Sequence, residues 1–93
     1  MSEAIARLHV TIRGRVQGVG FRFHTQQAAE ELGLTGWVAN RSDRSVEVVA
    51  EGPRAALDRF LTTLKHGPSM AQVIDLQPEY LPATREFAEF RVE

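Results

Sequence analysis

The sequence predicts an α+β domain in which one antiparallel sheet carries two helices on one face. Three observations lead there: segments that alternate apolar with polar residues, two segments with apolar residues at helical spacing, and the order in which these occur. Length sets the scale. With 93 residues, 43% apolar and 25% charged, the chain is expected to form a single domain, 1–93, around one core.

Leu8, Val10 and Ile12 alternate with His9, Thr11 and Arg13, which predicts a half-buried strand ending near Arg15. Gly18 and Gly20 follow in a tight loop. Phe21, Thr25, Ala28, Ala29 and Leu32 then share one helical face, so a helix begins about Arg22 and Gly33 closes it. Residues 35–40 and 45–51 read as two strands, the second with Val46, Val48 and Ala50 on one face, and the Arg41-Ser42-Asp43-Arg44 link makes them a hairpin.

Pro53 at a first helical position, then Leu57, Phe60, Leu61 and Leu64, then the stop Gly67-Pro68, bound a second helix. Residues 71 to about 79 read as a fourth strand, placed at a sheet edge because Pro78 has no N–H for a ladder. Residues 87–92 read as a short terminal strand. The order βαββαβ plus this last strand is the ferredoxin-like split βαβ sandwich, with the second face of its sheet wet.

Composition narrows the function classes. Zero cysteines exclude a disulfide framework, a cysteine nucleophile and thiolate metal ligation, and fit a reducing, cytoplasmic address. The first residues, Met1 to Arg7, lack a basic stretch leading into an apolar core, and no run approaches a membrane span, so neither secretion nor a membrane partner is expected. A net charge of −1 argues against a nucleic-acid partner, since such affinity comes mainly from neutralised phosphates. The charge is unevenly placed. Residues 1–22 hold Arg7, Arg13, Arg15 and Arg22 against Glu3, a net of +3, and the rest sum to −4, so a small anion has a positive region to find.

The informative stretch is Gly14-Arg15-Val16-Gln17-Gly18-Val19-Gly20-Phe21-Arg22, where a strand turns into a helix. Two glycines at this spacing are open to two readings: they merely turn the strand into the helix, or they let successive N–H groups face one concavity, which suits a phosphate. The helix start adds unsatisfied N–H groups, and Arg22 adds a planar fork for two phosphate oxygens. A cation opening a helix opposes the dipole unless an anion sits between them, so Arg22 points to function rather than to helix building. The stretch lacks the third glycine of the dinucleotide fingerprint and the Gly-Lys-Ser/Thr of a Walker loop. Asn40, ending the second strand, is open to two readings: a turn residue heading the hairpin, or an uncharged amide near the cradle that holds a water. His9, His24 and His66 have no partners at metal-ligand spacing, so no metal is expected; His66 suits a helix C-terminus, His24 a helix surface, and Trp37 core or sheet packing.

Gly14 to Arg22, followed by Leu32-Gly33-Leu34-Thr35-Gly36-Trp37-Val38-Ala39-Asn40 and by Val46-Glu47-Val48 to Glu51-Gly52-Pro53, resembles the acylphosphatase family over nearly the whole chain. The resemblance implies hydrolysis of acyl phosphates to carboxylate and inorganic phosphate without a cofactor, and a monomer is expected. Arg22 then matches the family's phosphate-binding arginine, Asn40 its water-orienting asparagine, and Val16, Gln17, Gly18, Val19, Gly20 and Phe21 its backbone cradle. One departure stands out: Arg44 occupies a hairpin position where the family commonly has glycine. Residues 82–86 match only loosely.

Two rival functions share the fold. A non-catalytic phosphate-binding module of the same family would bind without turnover. An RNA-binding module would need the Gly18-Val19-Gly20-Phe21-Arg22-Phe23 segment on a central strand with its rings facing solvent, whereas the pattern places it between strand and helix.

Overall fold

The computed structural model describes residues 4–93; Met1, Ser2 and Glu3, part of the predicted domain and of its charge balance, lie outside the described residues. Seven elements follow in order: β1 (Ile5–Arg15), α1 (Phe21–Glu31), β2 (Thr35–Asn40), β3 (Val46–Pro53), α2 (Arg54–His66), β4 (Gln72–Pro82) and β5 (Phe90–Val92). They build the expected ferredoxin-like sandwich, with strand order β4-β1-β3-β2-β5.

One face of the sheet is dry. Leu8, Val10 and Ile12 of β1, Val38 of β2, and Val46, Val48 and Ala50 of β3 form one cluster with Phe21, Ala28 and Ala29 of α1 and Leu57, Phe60 and Leu64 of α2. Burying each such leucine or phenylalanine contributes roughly 1.5–3 kcal/mol, so this face alone explains why the period-two and helical patterns coincide in space. Phe60 meets Phe90 edge to face at 6.1 Å, which seats β5 against α2.

The other face is polar and paired. His9 lies 2.6 Å from Glu47 Oε2, Arg41 bonds Glu47 while its guanidinium covers Trp37 at 5.5 Å, and Arg7 Nε donates to Glu51 Oε2 at 2.7 Å. Trp37 is thus sheet-face packing.

Several boundaries differ from the sequence expectation. The sheet is mixed rather than wholly antiparallel, because β5 pairs with β2 in parallel register, Gly36 opposite Phe90 and Val38 opposite Val92. β5 is also shorter than predicted and begins at Phe90, while β4 runs on to Pro82. Between them the chain crosses the sheet end pinned by Glu51, whose carboxylate accepts the N–H groups of Thr84 at 2.9 Å and Arg85 at 2.8 Å. Burial pushes the Glu51 carboxyl up, but the bonds from Thr84, Arg7 and Arg85 outweigh it and hold the group below its ordinary range. Pro53 is the last residue of β3, with ψ 143°, and caps α2 instead of opening it. β4 lies at the sheet edge as predicted, with Pro78 opposite Val10 of β1.

Gly33 closes α1 through a paired end motif: Leu34 N–H donates to Ala29 O at 2.9 Å and Gly33 N–H to Glu30 O at 3.1 Å. Lys65 and His66 occupy the last turn of α2, where the dipole favours them. No helix among the described residues is long and apolar enough to cross a membrane.

Candidate active site

A shift of register between Arg13 and Gly14, where β1 runs beside β4, re-aims the end of β1 toward the loop that follows. That loop, residues 16–20, is anchored where it leaves β1. Val16 is buried in the core cluster, and Gln17 Nε2 donates to Arg41 O and Ser45 O, each at 2.9 Å, which ties the loop to the β2–β3 hairpin. Gly18 and Gly20 have φ 74° and 77°, a left-handed backbone that glycine adopts without side-chain strain. Gly20 caps α1 with no side-chain bond, so the first amides of the helix keep their hydrogen-bonding capacity. Among the described residues, the backbone N–H groups of Val16, Gln17, Gly18, Val19 and Gly20 donate to no protein acceptor. Amides left free in a bent loop at the positive end of a helix form an anion cradle.

Val16, Gly18, Gly20, Phe21, Arg22, Phe23 and Asn40 line one small cavity of about 120 Å³. The fold therefore brings Arg22 and Asn40, 18 positions apart in the sequence, to the same cavity as the loop. Gln17 and Val19 belong to the loop but not to the lining: Gln17 holds the hairpin, and Val19 packs against the core. Arg22 is the second residue of α1, one turn position later than the sequence pattern suggested. Its Nη1 donates to Glu93 O at 2.9 Å, and Glu93 N–H donates to Val38 O at 2.8 Å, two residues before Asn40. Sequence reasoning missed Glu93, because only the parallel docking of β5 brings it to this helix.

Asn40 ends β2 opposite Val46 and is exposed, and its side chain makes no hydrogen bond to another described residue. His24 stays out of the lining; its Nδ1 is enclosed without a partner. Among the described residues no group of three His, Asp or Glu side chains is placed to hold a metal ion. The segment 18–23 lies in the loop and in α1, so the strand position that an RNA-recognition signature requires is not met.

The hairpin departure has a structural counterpart. Arg44 has φ 73°, held there by Arg44 N–H to Arg41 O at 3.1 Å and Arg41 N–H to Ser45 O at 2.9 Å. Asp43 braces the turn, accepting from Ser45 Oγ at 2.6 Å, from Ser45 N–H at 3.0 Å and from Arg13 at 3.0 Å, and these bonds lower its carboxyl to about 2. A left-handed arginine costs roughly 1–2 kcal/mol, while glycine adds about 0.5–1 kcal/mol of chain entropy to lose. Arg44→Gly is therefore expected to raise stability by up to about 1 kcal/mol, a gain of a few degrees in melting temperature. Calorimetry of the two proteins checks this, and a lowered melting temperature would show that the Arg44 side chain holds the turn.

A glycine-bearing loop with free amides on a split βαβ sandwich, sharing one cavity with an arginine and an asparagine, defines an α+β protein with a candidate anion site. Comparison with known proteins supplies the family. Residues 8–92 match the acylphosphatase family model. An acylphosphatase of Burkholderia thailandensis is 45% identical over 91 residues, covering 98% of this chain and 93% of the relative. The crystal structure of an acylphosphatase from Bacillus subtilis superposes with a TM-score of 0.92 at 36% identity, covering 95% of this chain and 98% of the other. One from Coxiella burnetii superposes with a TM-score of 0.91 at 40% identity, covering 97% and 94%. The chain belongs to the acylphosphatase family, enzymes that hydrolyse the carboxyl–phosphate bond of acyl phosphates to a carboxylate and inorganic phosphate.

Proposed function

We propose that Arg22 and Asn40 are the catalytic residues of this acyl phosphate hydrolysis and that the backbone of residues 16–21 cradles the phosphoryl group. The observation that carries the assignment is the single cavity shared by loop glycines, Arg22 and Asn40. An acyl phosphate expels a carboxylate, a good leaving group, through a loose transition state whose charge gathers on phosphoryl and departing oxygens. Loop amides and the Arg22 guanidinium meet that charge. With Nη1 held by Glu93 O, the guanidinium keeps donors that can grip phosphoryl oxygen in a fixed plane. Asn40 aims a water in line with the leaving carboxylate, water oxygen bonds to phosphorus as the P–O bond to the acyl group breaks, and the water's proton passes to a phosphoryl oxygen. An uncharged amide does this without repelling the substrate's anion.

The scheme calls on no metal or organic cofactor, and the protein acts as a cytoplasmic, monomeric enzyme of one domain, 1–93, with no nucleic-acid or membrane partner. Charge balance and the lack of cysteine support this reading. The test is turnover of acetyl and benzoyl phosphate by the purified protein, with and without a chelator. Unchanged rates with chelator, and competitive inhibition by inorganic phosphate, are expected. Loss of activity with restoration by a divalent ion would overturn the metal-free scheme, and phosphate binding without turnover would favour the non-catalytic module.

A further inference from the structure

At about 120 Å³ the cavity is too small for a phosphoryl group together with a broad acyl group, so a broad acyl part must lie at its open rim. Phe23 forms part of that rim and is 68% exposed. Exposure of this ring is not a by-product of packing. The core side of α1 consists of Phe21, Thr25, Ala28 and Ala29, and Phe23, two residues beyond Phe21, is turned by about 200° from it on a helix of 3.6 residues per turn. The other large apolar side chains left exposed, Met70, Ile74 and Leu81, sit on or before β4 and not at the cavity. Gly18 and Gly20 contribute no side chains to the lining, and Arg22 and Asn40 contribute polar ones. Val16 and Phe21, the remaining apolar members, are buried. An apolar leaving group therefore meets one exposed apolar surface at the mouth.

We infer that Phe23 is the specificity-determining contact for the acyl group, favouring acyl phosphates whose acyl part is aromatic or otherwise broad and apolar. The inference rests on the hydrolysis reading above and adds the substrate class. A ring that stays wet in the free enzyme loses water when a second ring stacks on it, and such a pair contributes enough for about a tenfold preference. A short acyl group cannot reach far enough across the ring to gain this.

The experiment measures kcat/KM for benzoyl phosphate and for acetyl phosphate with wild type, Phe23→Ala and Phe23→Tyr. In Phe23→Ala the benzoyl-to-acetyl ratio is expected to fall about tenfold, chiefly through KM for benzoyl phosphate, while Phe23→Tyr retains the wild-type ratio. Competitive inhibition by inorganic phosphate reads the cradle independently and should keep its wild-type constant in both variants. An unchanged ratio in Phe23→Ala, or equal losses for both substrates, would overturn the inference while leaving the hydrolysis reading standing. Absence of turnover of either substrate by wild type would overturn both. Should Phe23→Ala fail to fold, the exposed, non-packing role assigned to Phe23 would be wrong.

Discussion

Asn40→Ala is expected to lower kcat by about 10²–10³-fold while KM changes little. The magnitude is that for deleting a preorganised polar group at a reacting centre, about 2.7–4 kcal/mol. The split between constants follows from geometry. Asn40 stands at the cavity with the loop and Arg22; in the proposed assignment the loop amides and the arginine hold the phosphoryl group, so the substitution should remove water alignment and spare binding. Structural loss should be small, because the exposed Asn40 side chain makes no hydrogen bond to another described residue and its backbone pairing with Val46 survives in alanine. Steady-state kinetics together with thermal melting checks both halves. A folded variant with near-normal kcat would return Asn40 to service as a turn residue at the head of the hairpin.

Arg22→Lys should cost at least tenfold in kcat/KM although the charge is kept. Lysine offers a mobile ammonium in place of a planar fork. Two contacts are then lost together: the bond from Nη1 to Glu93 O that fixes the plane, and one of the charge-assisted bonds to phosphoryl oxygen, each of the latter worth roughly 1.5–3 kcal/mol. Phosphorus also loses its alignment with the Asn40 water, so binding and turnover should both suffer. Stability should barely change, since a cation at the start of α1 opposes the helix dipole equally in either form and the bond to Glu93 O that is lost is an exposed one. Wild-type kcat/KM in the lysine variant would mean that Arg22 supplies only a positive field. A collapsed melting temperature would instead assign it a structural role through Glu93.

What the sequence made legible depended on how local each cause was. The second helix was plain, because Leu57, Phe60, Leu61 and Leu64 satisfy one period within three turns and Gly67 ends it. Its first residue was not, since proline suits both a helix start and an extended cap, and the ψ of Pro53 is decided by its place at the end of β3. β4 runs three residues beyond the expected end near Glu79, to Pro82, because on an edge strand the missing N–H of a proline has an outer side on which nothing is required. The direction of β5 was out of reach. Three residues carry no orientation signal, and Phe90 docking on Phe60, together with Glu51 gripping residues 84 and 85, decides it. Within the site, glycine spacing and the position of Arg22 were readable from one stretch, and Asn40 through the family resemblance. Gln17 as a hairpin anchor and Glu93 as the partner of Arg22 depend on contacts across 24 and 71 positions, for which a single sequence offers no pattern.

The pairing of β5 with β2 also imposes an order in time. Apart from the β2–β3 hairpin, each strand pairing joins segments far apart in the chain, β1 with β3, β1 with β4 and β2 with β5, and sheets of that kind fold slowly because the loops must close before their contacts repay the lost entropy. The glycine loop and Arg22 are synthesised about 71 positions ahead of Glu93, so the guanidinium of Arg22 receives its partner only when position 93 has been made and laid beside Val38. During synthesis the glycine loop therefore emerges long before it can be held in working shape. A nascent chain carries the parts of the enzyme well before it becomes one.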